Sequence, residues 1–244
     1  METDENVVIT PQERQEFEEY RRRKRIAEAR ALIGRLELDL TQPGTDGAAV
    51  VSAVKDAEKC GLGGVCVQPY FVNVCARPVK KLKVVCCISL CGGAETSEAK
   101  AFQVRRAVRA GAAAAEVTAP VPAVKEGAWS YVRRELKKLR AAAKNIELRM
   151  NAEAPLLTAQ EAERLCSLAA ECGVKCVRVS HGACDDEELS QIAAAVRGRM
   201  TVKSGGADTP ARIATMMELG AGIVSSRSAT ELARTILAVA EEGR

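Results

Sequence analysis

From Leu36 onward the chain repeats one pattern: a short apolar run, a turn, a longer helix-patterned stretch, and a glycine before the next apolar run. The apolar runs are Leu36 to Leu40, Gly64 to Gln68, Leu82 to Leu90, Ala114 to Thr118, Ile146 to Asn151, Lys175 to Ser180, Met200 to Lys203 and Gly222 to Ser226. Between and after them, Asp46 to Cys60, Asn73 to Lys80, Glu95 to Ala110, Ala128 to Ala143, Thr158 to Glu171, Asp185 to Arg197, Thr209 to Leu219 and Ser228 to Glu241 carry helical periodicity. Strands joined by helices lie parallel, and a parallel sheet is buried on both faces, so its strands read as continuous rather than alternating apolar runs. Eight such units predict an α/β fold, a closed (β/α)8 barrel. An open doubly wound sheet is the alternative; against it, the first strand is followed by Thr41-Gln42-Pro43-Gly44-Thr45 and not by a glycine-rich dinucleotide turn.

The helix ends are marked in the sequence. Thr158 precedes Glu161 by three positions, a capping box, and Thr209-Pro210 supplies a cap followed by a first-turn proline. Ala110-Gly111, Cys172-Gly173 and Leu219-Gly220 stand where helices must stop and turn back into strands. Ahead of the repeating region, residues 11 to 33 form a charged helix opened by Pro11 and closed by Gly34. The expected organisation is a helical extension over 1–34 and one barrel over 35–244, a length that suits a single barrel. With 47% hydrophobic but only 3% aromatic residues, the interior must be filled by aliphatic and small side chains, which disfavours a β-sandwich.

A formal charge of +4, spread along the chain without interleaved aromatics, does not predict a nucleic-acid partner and is compatible with a small anionic ligand. The run Arg21-Arg22-Arg23-Lys24-Arg25 follows a cluster of glutamates, so it reads as a solvated helix face, with oligomer contacts as a second role for this prefix. No apolar stretch reaches membrane-spanning length and the polar amino terminus does not resemble a signal peptide, so no membrane partner is expected and the expected location is cytoplasmic. Ten cysteines in a chain of this size read as reduced, mostly buried thiols, with Cys66, Cys86, Cys87 and Cys176 in strands and Cys60, Cys166 and Cys172 on helices. Cys86, Cys87, Cys91, Cys66 and Cys184 match no compact metal motif, and adjacent strand residues such as Cys86 and Cys87 point to opposite faces, so no metal and no cofactor is expected.

In a barrel of this kind the carboxyl ends of the strands gather at one rim, which brings Glu153, Arg178, Lys203 and Ser226 into one neighbourhood. Lys203 is the amine among them. Burial and cationic neighbours would favour its neutral form, the one that adds to an aldehyde; a strand-end charge or an anion ligand is the other reading. Arg178 stays protonated and suits either an ion pair with Glu153 or a two-pronged grip on a carboxylate or phosphate. His181, the one histidine, is either a proton carrier or a plain loop residue. Gly205-Gly206 after the seventh strand and Ser225-Ser226-Arg227 before the last helix suit a phosphate: glycines admit close backbone approach, serines donate, and a helix amino end follows.

These segments resemble the deoxyribose-phosphate aldolase family, class I lyases with a TIM-barrel fold. The resemblance is carried by the strand-two sequence from Gly64 to Pro69, Glu116-Val117-Thr118, Glu153 with Leu156-Leu157-Thr158, the stretch from Val177 to Gly182, Val202-Lys203-Ser204-Gly205-Gly206 and Ile223-Val224-Ser225-Ser226. It implies reversible cleavage of 2-deoxyribose 5-phosphate to acetaldehyde and glyceraldehyde 3-phosphate through a lysine Schiff base, without a metal. It also implies that the Schiff-base lysine belongs at Arg178, the proton-transferring aspartate at Thr118, a second, pKa-lowering lysine at Lys203, and a further lysine at Arg149. Arginine cannot form the imine and threonine is no carboxylate base.

The sequence therefore predicts an aldolase-like protein that binds a phosphorylated sugar or aldehyde, with the standard retro-aldol activity in question. If it is an enzyme, Lys203 attacks the carbonyl, Glu153 or His181 moves protons, and Gly205, Gly206, Ser225 and Ser226 hold phosphate beside Arg178. The alternative is a noncatalytic phosphosugar-binding or assembly protein on the same scaffold.

Overall fold

A computed structural model describes residues 10–243 apart from 43, 45, 91 and 183. Eight strands close into a parallel barrel in sequence order, with β1 pairing both β2 and β8. The strands are β1 (Leu36–Leu40), β2 (Gly64–Val67), β3 (Lys83–Ile88), β4 (Ala114–Thr118), β5 (Glu147–Asn151), β6 (Cys176–Arg178), β7 (Thr201–Gly205) and β8 (Ile223–Ser226). Around them lie α2 (Gly47–Cys60), α3 (Val72–Ala76), α4 (Ser97–Arg109), α5 (Val121–Lys125), α6 (Trp129–Ala143), α7 (Ala159–Glu171), α8 (Asp186–Val196), α9 (Pro210–Glu218) and α10 (Ala229–Glu242), preceded by α1 (Pro11–Ile33). The barrel expected from the repeating pattern is thus the observed fold, and the open sheet is excluded by the β1–β8 pairing.

Local signals place the ends. Thr158 accepts from the Glu161 amide while Glu161 reaches back to the Thr158 amide, and the same reciprocal pair forms at Thr10 and Glu13. Gly111, Gly173 and Gly220 take φ of +92°, +81° and +106°, the left-handed turn that ends a helix before a strand. The third helical stretch is shorter than its periodicity suggests, and Pro69–Phe71 adds a 3-10 turn before it. The short α5 was not evident in the sequence, since Pro120 and Pro122 read as loop punctuation.

Two apolar regions divide the interior. A large one between sheet and helices includes Cys86, Leu148, Met150, Leu165 and Ile192; a small one inside the barrel holds Cys66, Val85, Cys87 and Ala114. Cys86 and Cys87 fall on opposite sides of β3, as strand alternation requires. All described cysteines are free thiols, buried except for the half-buried Cys60. No helix among the described residues is long and apolar enough to cross a membrane.

Candidate active site at the carboxyl rim

The lumen of the barrel is charged. Glu37, Asp39, Glu116, Arg149, Arg178 and Lys203 are all buried there, three carboxylates against three cations. Strand alternation turns each inward: Glu37 and Asp39 are two apart on β1, and Glu116, Arg149, Arg178 and Lys203 come from β4, β5, β6 and β7. Arg178 and Lys203 stand opposite each other in the β6–β7 register, an arrangement tolerable only because anions lie between and around them.

Lys203 Nζ lies 2.8 Å from Glu37 Oε2, 2.8 Å from Glu116 Oε2 and 2.9 Å from Cys66 Sγ. Burial alone would strip its proton, but Cys66, Glu116 and Glu37 outweigh burial and drive its pKa well above the ordinary lysine value. The cationic surroundings anticipated for Lys203 differ from those observed: its nearest charged groups are the carboxylates of Glu37 and Glu116, which favour the ammonium form. Its partners respond in kind. Burial pushes Glu37 and Glu116 upward, yet Lys203 with Arg149 or Arg178 overrides it and holds each carboxyl at about 2.

Arg178 donates from Nη2 to Asp39 Oδ2 at 2.8 Å and to the His181 carbonyl at 2.9 Å, from Nη1 to Glu116 Oε1 at 3.1 Å, and from Nε to the Ser180 carbonyl at 2.8 Å. Burial opposes its charge, but Glu116 and Asp39 keep it protonated. Its ion-pair partners are thus Asp39 and Glu116, not Glu153. Glu153 is instead held by the Asn151 side-chain amide at 2.7 Å and the Ser180 hydroxyl at 3.1 Å, on backbone with φ +54°. Arg149 completes the network with Glu37 at 2.7 Å and Glu147 at 3.1 Å.

Above this charged layer opens a cavity of about 310 Å³ whose lining includes Asp39, Arg178, His181, Gly206, Ser225 and Ser226, together with Asp208, Arg227 and Ser228. Two buried polar atoms of its lining have no hydrogen-bond partner among the described residues: Ser225 Oγ and His181 Nε2. Ser225 is 1% exposed, so an unmet hydroxyl there is costly unless something enters the cavity. Burial first, and Arg178 second, lower the pKa of His181 and favour a neutral imidazole. Gly205 does not line the cavity; a Cβ there would stand 3.2 Å from the Gly182 carbonyl and 3.4 Å from Arg178 Nη2. The Gly206 amide is spent on the Ser225 carbonyl at 3.1 Å, and Ser226 Oγ donates to the Ala207 carbonyl at 2.5 Å while accepting from the Ser228 amide at 3.1 Å. These two build the loop, whereas Ser225 faces the cavity. The amino end of α10 begins beside them without a side-chain cap.

Arg178, His181, Gly206, Ser225 and Ser226 therefore share one cavity, whose lining includes neither Lys203 nor Glu153. Sequence reasoning missed Glu37, Asp39 and Glu116 as partners; the available signal was acidic residues at alternate positions inside otherwise apolar strands. Cys66 and Cys87 do come together with Glu116, their ligand atoms all within 4.8 Å. Lys203 already supplies the cation at that spot, in contact with Cys66 and Glu116. Cys184 is elsewhere, 3.0 Å from Ser204 Oγ, and Cys91 lies outside the described residues.

Fold and rim define a (β/α)8 barrel whose polar cavity sits at the carboxyl ends of β6, β7 and β8. No family model matches the chain. Among curated proteins it is similar to the deoxyribose-phosphate aldolase of Geobacillus sp. (strain WCH70), 31% identical over 193 residues that cover 76% of this chain and 86% of the relative. The deoxyribose-phosphate aldolase of Listeria innocua is 30% identical over 188 residues, covering 74% and 84%. Among solved structures it superposes on the aldolase QR15 with a TM-score of 0.80 at 23% identity, covering 85% of this chain and 96% of that one, and on deoxyribose phosphate aldolase from Aeropyrum pernix with 0.78 at 20% identity, covering 88% and 95%. The chain belongs to the deoxyribose-phosphate aldolase family.

Proposed function

We propose that this protein binds a phosphorylated sugar or aldehyde in the cavity above Arg178 and does so without forming a lysine imine. The single observation that carries the first half is the pair of unmet buried atoms, Ser225 Oγ and His181 Nε2, facing one cavity beside the Arg178 guanidinium and the uncapped start of α10. Donors of this kind match a phosphate, and the relatives are named for a phosphorylated substrate. The second half rests on protonation. An amine locked as an ammonium between Glu37 and Glu116 has no lone pair for a carbonyl, and the guanidinium of Arg178 has none either. The noncatalytic reading of the scaffold is thus preferred over attack by Lys203 with proton transfer by Glu153 or His181.

Two measurements test it together. Titration calorimetry with inorganic phosphate and with glyceraldehyde 3-phosphate should show binding that Ser225→Val weakens about tenfold, the loss of one good hydrogen bond. Borohydride added to the protein with 2-deoxyribose 5-phosphate or acetaldehyde, the partners whose aldehyde carbon an imine would carry, should leave the Lys203 peptide unmodified. A reduced adduct on Lys203, or release of aldehyde from deoxyribose 5-phosphate, would establish the catalytic reading instead. Absence of heat with both phosphates would remove the binding half.

A further inference from the structure

α1 presents an outward face that no other described residue covers. Only Ala29 and Ile33 of its residues are buried, with Ile26 and Leu32 packed partly against the core, and Arg25 Nε donates to the Ala240 carbonyl at the end of α10. Every residue from 10 to 24 is exposed. Opposite the packed side runs the stripe Glu13, Phe17, Tyr20, Lys24, Ala27 and Ala31, all exposed, at spacings of 4, 3, 4, 3 and 4 residues. Those spacings are the heptad spacings of a two-helix seam, with four of the six positions apolar or aromatic. Two large aromatic residues stand on it in water, Phe17 at 59% and Tyr20 at 63% exposure.

We propose that this seam pairs with the same seam of a second copy of the chain, antiparallel, about a two-fold axis near Arg22. In that register Phe17 sits over Ala27 of the second copy, large against small, and Tyr20 meets Lys24 of the second copy, an aromatic face against a cation. The flanking charges complement each other too: Glu16 lies beside Arg30 of the second copy and Arg14 beside Glu28 of the second copy, each pair occurring twice by symmetry. Arg14, Glu28 and Arg30 make no ion pair within the chain among the described residues. Like charges meet only at the axis, where Arg23 is already paired with Glu19 at 3.3 Å and Arg21 lies over the Phe17 ring at 5.8 Å. A parallel pairing satisfies the flanks but stacks Lys24 on Lys24 and Glu13 on Glu13 in the seam, which the antiparallel one avoids.

Sedimentation of the full chain from about 1 to about 200 µM should show a monomer–dimer equilibrium. Glu16→Arg alone and Arg30→Glu alone should each weaken the dimer about tenfold, and the two together should recover most of it. Circular dichroism of each variant separates lost pairing from lost helix. Under mild oxidation Arg23→Cys, at the axis, should give a disulfide-linked dimer while Glu13→Cys, far from the axis, should not. A monomer throughout that range, single and double charge variants weakened alike, or Glu13→Cys linking as fast as Arg23→Cys would overturn the assignment.

Discussion

The resemblance to the family implies an imine-forming lysine at the position of Arg178, and the surroundings of Arg178 suit a guanidinium. Four acceptors on four different groups, Asp39, Glu116 and the carbonyls of Ser180 and His181, surround one planar fork. A lysine at the same place is a point donor and could meet only part of that set. The residue therefore commits its neighbours, and Thr118, where the same resemblance implies an aspartate, has a hydroxyl and no carboxylate; Asn151 donates to that hydroxyl at 3.3 Å. Supplying both groups should permit imine formation. Arg178→Lys with Thr118→Asp should produce a borohydride-trapped adduct at position 178 with 2-deoxyribose 5-phosphate or acetaldehyde, visible by peptide mass, while Arg178→Lys alone yields far less. Equal trapping in the single and double variants would show that Thr118 has no part in the deficit.

At the scale of elements, the devices that hold the barrel helices are local and separable from the site. The capping box of α7 satisfies two backbone amides through Thr158 and Glu161. Thr158→Ala should cost about 1 kcal/mol in denaturant unfolding and leave phosphate binding unchanged, because Thr158 touches nothing in the cavity. A loss of binding in step with stability would mean that α7 positions the rim. The buried pair of Lys100 on α4 and Glu135 on α6, 2.8 Å apart, is a different device: Lys100 also donates to the Thr118 carbonyl at 3.1 Å, tying two helices to the end of β4. Nothing in the periodicity of either helix marks that pair, since a lysine and a glutamate on amphipathic helices ordinarily read as surface residues.

For the whole molecule, the charged lumen predicts acid sensitivity with a definite sign. Glu37, Asp39 and Glu116 titrate at about 2 in the folded protein. Their unfolded values are near 4, so the unfolded chain binds more protons in that range. Stability contributed by the three carboxylates is complete above about pH 5 and falls as pH drops through 4 toward 2, on the order of 2–3 kcal/mol for each carboxylate taken singly. Denaturant unfolding followed from pH 7 to 3 should show a plateau and then a steep decline. A flat profile to pH 3 would mean that the lumen ion pairs contribute no net stability.

The sequence by itself determined the barrel, because that information is local: apolar runs of strand length, helical periodicity between them, and caps and left-handed glycines at the joints. It also determined the opposite orientation of Cys86 and Cys87, which follows from strand geometry; of Glu153, Arg178, Lys203 and Ser226, expected together at the rim, Arg178 and Ser226 line the cavity and Glu153 and Lys203 do not. Only the tertiary structure decided how the ionised side chains combine. Glu37 and Asp39 reach across the lumen to Arg149, Arg178 and Lys203 over more than a hundred residues of chain, and the sign of the Lys203 shift depends on which neighbours close barrel packing puts within 3 Å of it. Burial removes a charge or fixes it according to those neighbours, and chain order does not name them.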